Sequence, residues 1–489
     1  MLRNFNLMTL FLLLLIVNAG TQMGNSAIKE FTQAEGNYGN YTVEISGAMV
    51  DIANTPEAFE GYNLFVLLKT HKVTLEREFF LMIVDMNGEV ILEKQLPENE
   101  WIGDCPAELI EPTTILVRSS NTTALYNITD GSTLLLPFEG HHEFEYNPIN
   151  DTFFTFHYDI QHIDGGGYLY DTLLEFDREG SIVWSFNVSS LMSIDDECPY
   201  QDVLLSYHDV SHSNTIYYDV QEDSIYLMLR NANTFWKIDH STGEVIWGLG
   251  EYGNFTMYNK WGSQTDNLFY HGHAVEPIDE DTFILFDNDY HNQTNEMNRM
   301  SRILEIHINE DTMTANTSWV WTGEPEYYSY LWGNADRLPN GNRLGAFGIV
   351  VRPNSGYGGR LVEVNEDHDI VWEMSFVNDE AYWYGFYRAQ RFRVQPILQL
   401  INSRDTYSEG DITLDWLTWF NYRPKRDMQG TFGLYLDGTA TSEGNVTFDR
   451  YWRPTPLSYT FENLSSGSYN ATLVVWDGYG NSVRVTKII

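Results

Sequence analysis

HSNTIYYDVQEDSIYLM from His212, HAVEPIDEDTFILF from His273 and NADRLPNGNRLGAF from Asn334 open alike, and a looser copy, HEFEYNPINDTFFTF, starts at His142. Each begins on His or Asn, runs on as an extended segment, turns at an Asp/Asn/Gly cluster and enters an apolar strand. A second signature follows each copy: an acidic or glycine turn, then a β-branched run that often ends on Trp. Lys237 to Trp247, Glu175 to Trp184 and Glu363 to Trp372 carry it most clearly. Turn-then-strand texts of this kind start at Asp85, Tyr126, Phe176, Ile238, Ile306 and Val364. Self-similarity at a separation of roughly 40 to 70 residues predicts four-stranded blades joined by variable loops, the arrangement of a β-propeller. Six such texts predict six blades.

Outward from that stretch, strand-like text begins at Tyr41 and is rich in Val, Ile, Tyr, Phe and Thr, without long amphipathic helical patterns. Near Arg393 to Pro396 the pattern changes. From Ile397 come short alternating runs with turn signals about every ten residues, which predict a small immunoglobulin-like antiparallel sandwich. The expected fold class is all-β. Its expected parts are a signal peptide over 1–19, a six-bladed propeller over 20–395 and the sandwich over 396–489.

Composition narrows the function classes. The 489 residues include 43% hydrophobic and 15% aromatic side chains, a folded composition. The net charge of -41 repels nucleic acid and anionic lipid, and no ligand loop of the DxDxDG type offers a calcium site. Arg3, the short apolar run Leu7 to Val17 and the small residue Ala19 predict an export signal cleaved after Ala19, with no stable membrane span left behind. Glycosylation sequons head at Asn40, Asn121, Asn127, Asn150, Asn187, Asn254, Asn292, Asn316, Asn445, Asn463 and Asn470. The expected destination is the cell surface or the medium. There Cys105 and Cys198 are candidates for a disulfide, which spacing alone does not prove.

The first strand of a propeller blade lines the central channel, so His142, His212, His273 and Asn334 are expected to face one axis, with His141, His208 and His271 in the same loops. Imidazoles alone would suit a transition metal. Arg302, which follows the His273 strand, and Arg230, which follows His212, instead favour an oxyanion such as sulfate, phosphate or carboxylate. Neither a metal nor another cofactor is expected. The aromatic run Glu326 to Trp332, with Trp261 and Tyr270, reads as inter-blade packing before it reads as a pocket for a phenolic ring.

The ordered series HSN, LRNANTFWKIDHSTGEVIWGLG, GHAVEPI, FILFDN, MSRILEI and LPNGNRL resembles the arylsulfotransferase family, most clearly from Tyr207 to Gly348. The resemblance implies an exported six-bladed propeller. Such an enzyme moves a sulfuryl group from a phenolic sulfate ester to another phenol without a nucleotide donor. It implies catalytic roles for His212, His273 and Arg302, with Asn214 and Asn288 beside the substrate; the repeat alignment adds Arg230 and Asn334 to the substrate's expected surroundings. One position departs. Bacterial members carry a nucleophilic histidine in the strand after the PNGN-like turn, and here that strand, RLGAFGIVVRPNSG from Arg343, has none. The departure sustains an alternative, a non-catalytic cell-surface propeller that binds sulfated or other anionic glycans. A weaker third reading is a histidine-ligated metal hydrolase.

Overall fold

The computed structural model describes residues 37–97, 104–119, 122–194, 198, 200, 203–204, 206–289, 299–349 and 356–489. The expected signal segment and the sequons at Asn121 and Asn292 lie outside these. Among the described residues the regular structure is strand with short 3-10 turns and no α-helix.

Among the described residues before 396, six sheets contain an antiparallel run of four strands each. Sheet I holds Tyr382–Phe392, Tyr62–His71, Arg77–Asp85 and Val90–Gln95, and sheet II holds Ala107–Glu111, Thr114–Ser119, Thr122–Asn127 and Thr133–Leu136. Sheet III consists of His141–Asn147, Thr152–Ile163, Gly166–Phe176 and Ile182–Asn187, extended by Tyr207–Asp209 and Val203–Leu204. Sheet IV comprises Ser213–Asp219, Ser224–Leu229, Thr234–Asp239 and Val245–Gly250. Sheet V comprises His273–Pro277, Thr282–Asp287, Arg302–Asn309 and Thr314–Thr322, extended by Thr256–Tyr258 and Gln264–Thr265. Sheet VI runs Asn334–Arg337, Arg343–Phe347, Tyr357–Val364 and Ile370–Val377, and the hairpin of Gly39–Ile45 and Ala48–Asn54 adds to its outer edge. All six turn-then-strand texts fall on the hairpin between third and fourth strands.

Apolar residues point to both faces of the inner strands because each sheet is covered on both sides. In Ser224–Leu229, Ile225, Leu227 and Leu229 pack against Phe154 and Phe156 of sheet III, whereas Tyr226 and Met228 pack against Phe283 and Leu285 of sheet V. Equivalent clusters join II to III, V to VI and VI to I. Sheets I and II meet in a cluster that also takes in Phe420 and Phe448 of the C-terminal region. Each fully buried large side chain contributes about 1.5–3 kcal/mol, so the adjacency of the sheets is set by these interfaces rather than by strand pairing. Exposure grows outward: Ser224–Leu229 is wholly buried, while Ile182 and Val183 on the outermost strand of sheet III face solvent.

Residues after 396 form two further sheets. One orders Ile397–Leu400, Gly410–Trp419 and Thr455–Leu464; the other orders Thr439–Phe448, Met428–Leu436, Asn470–Asp477 and Ser482–Ile488. Their strands alternate buried and exposed residues, as in Gly410–Trp419, the pattern of sheets with one wet face. This region also seals one end of the inner strands. Lys425 pairs with Glu108 at 2.8 Å and with Glu145, Arg423 pairs with Glu276, and Arg450 Nη1 lies 3.0 Å from Asp219 Oδ1.

The expected Cys105–Cys198 bridge is not formed. Both residues are buried thiols, and Cys198 Sγ instead lies 3.4 Å from His271 Nε2.

Candidate functional site

The innermost strands of the six sheets surround one cavity. Ala107, Glu143, Ile216, Glu276, Asn334 and Arg388 each line it, one from each sheet. At the end of these strands away from the C-terminal region, the backbone breaks its ladder in the same way in three neighbouring sheets. Register shifts occur between His141 and Phe144, Ser213 and Thr215, and His273 and Glu276. His142, His212 and Ala274 sit there at φ of 59°, 44° and 53°. Bulges with left-handed residues re-aim side chains, and each such residue costs about 1–3 kcal/mol that the surrounding contacts must offset. Those contacts are visible: Asp171 Oδ2 accepts from Ser213 N and Ser211 Oγ, each at 2.7 Å, and Arg230 N donates to His212 O at 3.2 Å.

The bulges bring three of the expected imidazoles together. His142 Nε2 and His212 Nε2 are 3.1 Å apart, and the rings of His142 and His273 each lie 6.4 Å from the ring of Tyr387. Tyr387 is buried, and its hydroxyl donates to Asn214 O at 3.3 Å. Burial pushes the pKa of His142 well below that of a free imidazole, and His212, His141 and Arg118 add to the effect. Burial does the same to His273, reinforced by the Arg230 guanidinium. Both rings are therefore neutral at physiological pH.

The tautomer of His273 follows from its partners. Asn288 donates through Nδ2 to Ser329 O at 2.8 Å and Trp332 O at 3.0 Å, so its Oδ1 faces His273 Nδ1 at 2.7 Å as an acceptor. His271 O is a second acceptor at 3.2 Å. The ring proton resides on Nδ1, and Nε2 presents a lone pair. His212 also gives its Nδ1 proton away, but to the buried carboxylate of Asp209 rather than to a neutral amide oxygen.

Arg302 is anchored to the buried Asp287 through Nε at 2.6 Å and through Nη2, which also donates to Leu268 O at 3.1 Å. Its side chain keeps 28% exposure at the start of the third strand of sheet V, where its bonds go to Asp287 and Leu268 rather than to the imidazoles. Arg230 is buried, with Nη1 on Asn231 Oδ1 at 2.8 Å, and acts on the site as a fixed positive charge beside His273.

The remaining expected residues have backbone partners. Asn214 Nδ2 donates to Gly272 O at 2.8 Å and so ties sheet IV to sheet V. Asn334 exchanges bonds with Ala389, Nδ2 to O at 2.8 Å and N to Oδ1 at 2.9 Å. His208 is exposed on the outer extension of sheet III and stacks on Tyr168, away from the cluster. Trp261 is 78% exposed, and Tyr327 packs against Trp321 and Phe347 between sheets V and VI. Where the strand after the PNGN turn ends, Gly348 lies against its neighbours. A Cβ there would stand 2.3 Å from Phe386 O and 2.9 Å from the Trp332 side chain, so the backbone leaves no room for an imidazole.

Sequence reasoning missed Asp104, Asp171, Asp209, Tyr387 and Arg388. Asp104 accepts from Trp332 Nε1 at 2.7 Å and lies 3.5 Å from His142 Nε2. Arg388 pairs with Glu143 and donates from Nη2 to Asn214 O at 2.8 Å. The HDVSH text from His208 places a carboxylate three residues before His212 and was the one local signal available. Among the described residues, no group of three His, Cys, Asp or Glu side chains has the geometry to hold a metal ion.

Several solved structures are similar in strand arrangement at low identity. A hypothetical selenium-binding protein from Sulfolobus tokodaii has 11% identity and a TM-score of 0.36, with 88% of this chain and 92% of that one covered. A periplasmic gluconolactonase from Pseudomonas aeruginosa has 12% identity and a TM-score of 0.30, with 72% and 89% covered. A dihydro-heme d1 dehydrogenase has 12% identity and a TM-score of 0.29, with 87% and 74% covered. At these scores none carries an argument about this chain. No curated protein sequence matches it. The family described as Arylsulfotransferase (ASST) does match, over residues 15–388. That span holds every imidazole and guanidinium of the cluster and stops inside the strand Tyr382–Phe392 that completes sheet I, so the chain belongs to the arylsulfotransferase family.

Proposed function

We propose that this chain is an exported aryl-sulfate sulfotransferase that moves a sulfuryl group from a phenolic sulfate ester to another phenol without a nucleotide donor. In this reading sheets I to VI are the blades of a six-bladed propeller within 20–395, and 396–489 is an immunoglobulin-like sandwich that stoppers its channel. Residues 1–19 are removed on export. The described sequons support the exported reading: Asn40, Asn150, Asn187, Asn254, Asn316, Asn445, Asn463 and Asn470 are exposed, and only Asn127 is half-buried.

The observation that carries the chemistry is the difference in what backs the two histidines: each donates from Nδ1, His273 to a neutral amide and His212 to a carboxylate. His273 presents an unprotonated Nε2, while His212 is backed by a carboxylate and suited to hold a proton. Arg302 and the His273 side hold the sulfuryl oxygens, whose charge spreads in a loose transition state, as in phosphoryl transfer. His273 Nε2 forms the N–S bond as the ester S–O bond breaks. The electron pair leaves on the phenolate oxygen, which takes a proton from His212. In the second half the acceptor phenol gives its proton to His212, its oxygen attacks sulfur, and the N–S pair returns to Nε2. His273 thereby fills the role for which the strand after the PNGN turn has no histidine.

The test is intact-mass spectrometry after incubation with 4-nitrophenyl sulfate. The expected result is a gain of one sulfuryl group that is absent in His273→Ala and discharged by added phenol. Turnover with no adduct would mean direct transfer. Packing at Gly348 favours the rival reading, a binder of sulfated or anionic glycans, and tight binding with neither adduct nor turnover would establish it.

A further inference from the structure

His212 belongs to a row of five side chains in close contact. Asp171 Oδ1 is 3.2 Å from His141 Nε2, and His141 Nδ1 is 2.8 Å from His142 Nδ1. His142 Nε2 is 3.1 Å from His212 Nε2, and His212 Nδ1 pairs with Asp209 Oδ2. Three of these links are hydrogen bonds and the Asp171–His141 contact is an ion pair off the line of one, so every ring nitrogen faces another ring or a terminal carboxylate.

The number of protons follows from the number of links. Four contacts each need one proton, and three neutral imidazoles supply three. With both carboxylates ionised, the array is satisfied only when it holds one extra proton and one ring is an imidazolium. One proton fewer leaves two nitrogen lone pairs facing each other at 2.8 or 3.1 Å, and one more forces two N–H groups together. The extra proton has three equivalent bonding patterns, one for each ring, which interconvert by moving a proton across each N–H···N bond. The array therefore titrates as a unit and not as three histidines.

The surroundings decide where that proton rests. Burial and the positive charge of Arg118 disfavour it on both His141 and His142, although Asp171 partly compensates at His141. Burial alone would raise the pKa of Asp171, but bonds from His141, Ser213 N and Ser211 hold it below the usual carboxylate range, so this end stays ionised. Burial, reinforced by Arg230 and Arg388, keeps His273 itself neutral. Tyr158 stacks on His141 at 3.9 Å, and Tyr387 covers the His142 side. Asp104, 3.5 Å from His142 Nε2, favours a proton at the His142–His212 junction. His212 is also the most exposed ring of the three, at 19% against 4% and 7% for His141 and His142.

We infer that Asp171, His141 and His142 form a one-proton store for His212, released to the departing phenolate at the His142–His212 junction and refilled by the acceptor phenol. This rests on the sulfuryl-transfer reading. The two half-reactions need one proton out and one proton back, which is the capacity the links impose. Once emptied, the array has an unbonded N···N contact, and that contact makes it a stronger base for the incoming phenol than an isolated imidazole. His141 and Asp171 act through His212 and are positioning residues.

The experiment compares donors that differ in their need for a proton. His141→Gln and, as a second variant outside the imidazoles, Asp171→Asn are assayed with phenyl sulfate and 4-nitrophenyl sulfate, each after a thermal melt confirms folding. The expected loss is about 100-fold greater with phenyl sulfate than with 4-nitrophenyl sulfate, the size of a general-acid contribution. Equal losses with both donors would overturn the store. Nitrogen-15 NMR of the imidazoles gives a readout that does not depend on turnover. A single proton lost co-operatively by His141, His142 and His212 supports the store, and three independent titrations overturn it. Wild-type protein that transfers no sulfuryl group from either donor would sink the functional reading, and the NMR result would still decide the relay.

Discussion

At one end of the six innermost strands, burial keeps His142 and His273 neutral, and Asp287 holds Arg302 on the third strand of sheet V. Within two or three residues along the same strands, Glu143, Glu145, Glu276 and Asp336 line a cavity that the C-terminal region fills with Arg423 and Lys425. The first end has bulges, left-handed residues and imidazoles whose Nδ1 protons are fixed by their acceptors. The second has complementary ion pairs between the six sheets and the C-terminal region. Strain and pre-set proton positions are features of reacting sites, whereas charge matched to charge is how a junction is held. The comparison separates what the six strands do for chemistry from what they do for cohesion.

The largest expected effect tests the first end. His273→Ala lowers turnover with 4-nitrophenyl sulfate by about 10³-fold or more while the melting temperature changes little, measured by steady-state kinetics beside calorimetry. The second end gives the reverse result. Lys425→Ala leaves the buried Glu145 without its cation and costs about 3–5 kcal/mol of stability in chemical denaturation. Turnover per folded molecule is expected to stay the same. A Lys425 variant that loses activity in proportion to His273→Ala would erase the distinction between the two ends.

The two ends also respond to pH with opposite sign. Burial pushes the carboxyls of Glu143 and Asp336 up to about 7, against about 4 in an unfolded chain. Between those values the folded state binds more protons, so this contribution is present at low pH and is lost as pH rises toward 7. His142 and His273 have lowered folded-state values, so the unfolded state binds more protons below about 6.5. Their contribution is present above that pH and is lost on acidification. Thermal melts from pH 4.5 to 8 are expected to be nearly flat in the wild type. Glu143→Gln should then show stability rising with pH, and His142→Gln should show it falling. The smallest effect is that of a reductant: because no bridge joins Cys105 to Cys198, dithiothreitol leaves the melting temperature unchanged.

Much of the sheet architecture was legible because turn chemistry is local. A text such as DREGSIVW specifies its own hairpin, and all six did so. His212 and His273 were legible because the repeat puts them at matching positions at the starts of the innermost strands. Asp171, Tyr387 and Arg388 were not, for a physical reason. They reach the cluster from the third strand of sheet III and from a strand that closes sheet I, and no spacing along the chain encodes either approach. The roles expected for Asn214 and Asn334 illustrate the same limit. A motif shows that an amide stands at the channel mouth, but only the contacts show that its donors go to Gly272 O and Ala389 O. The disulfide expectation rested on compartment and count, and neither reports where two thiols point.

Sheet I pairs Tyr62–His71 with Tyr382–Phe392, segments near the two ends of the six-sheet region. That late strand also carries Tyr387 and Arg388. A nascent polypeptide halted before Tyr382 would already contain His142, His212, His273 and Arg302, yet would lack the hydroxyl between the rings and the guanidinium that bridges Glu143 to Asn214. On the proposed reading, closure of sheet I and completion of the histidine cluster are one event in biosynthesis, and a slow, non-local one. Translation intermediates and truncations that end before Tyr382 are expected to be inert, whatever sulfate esters surround them.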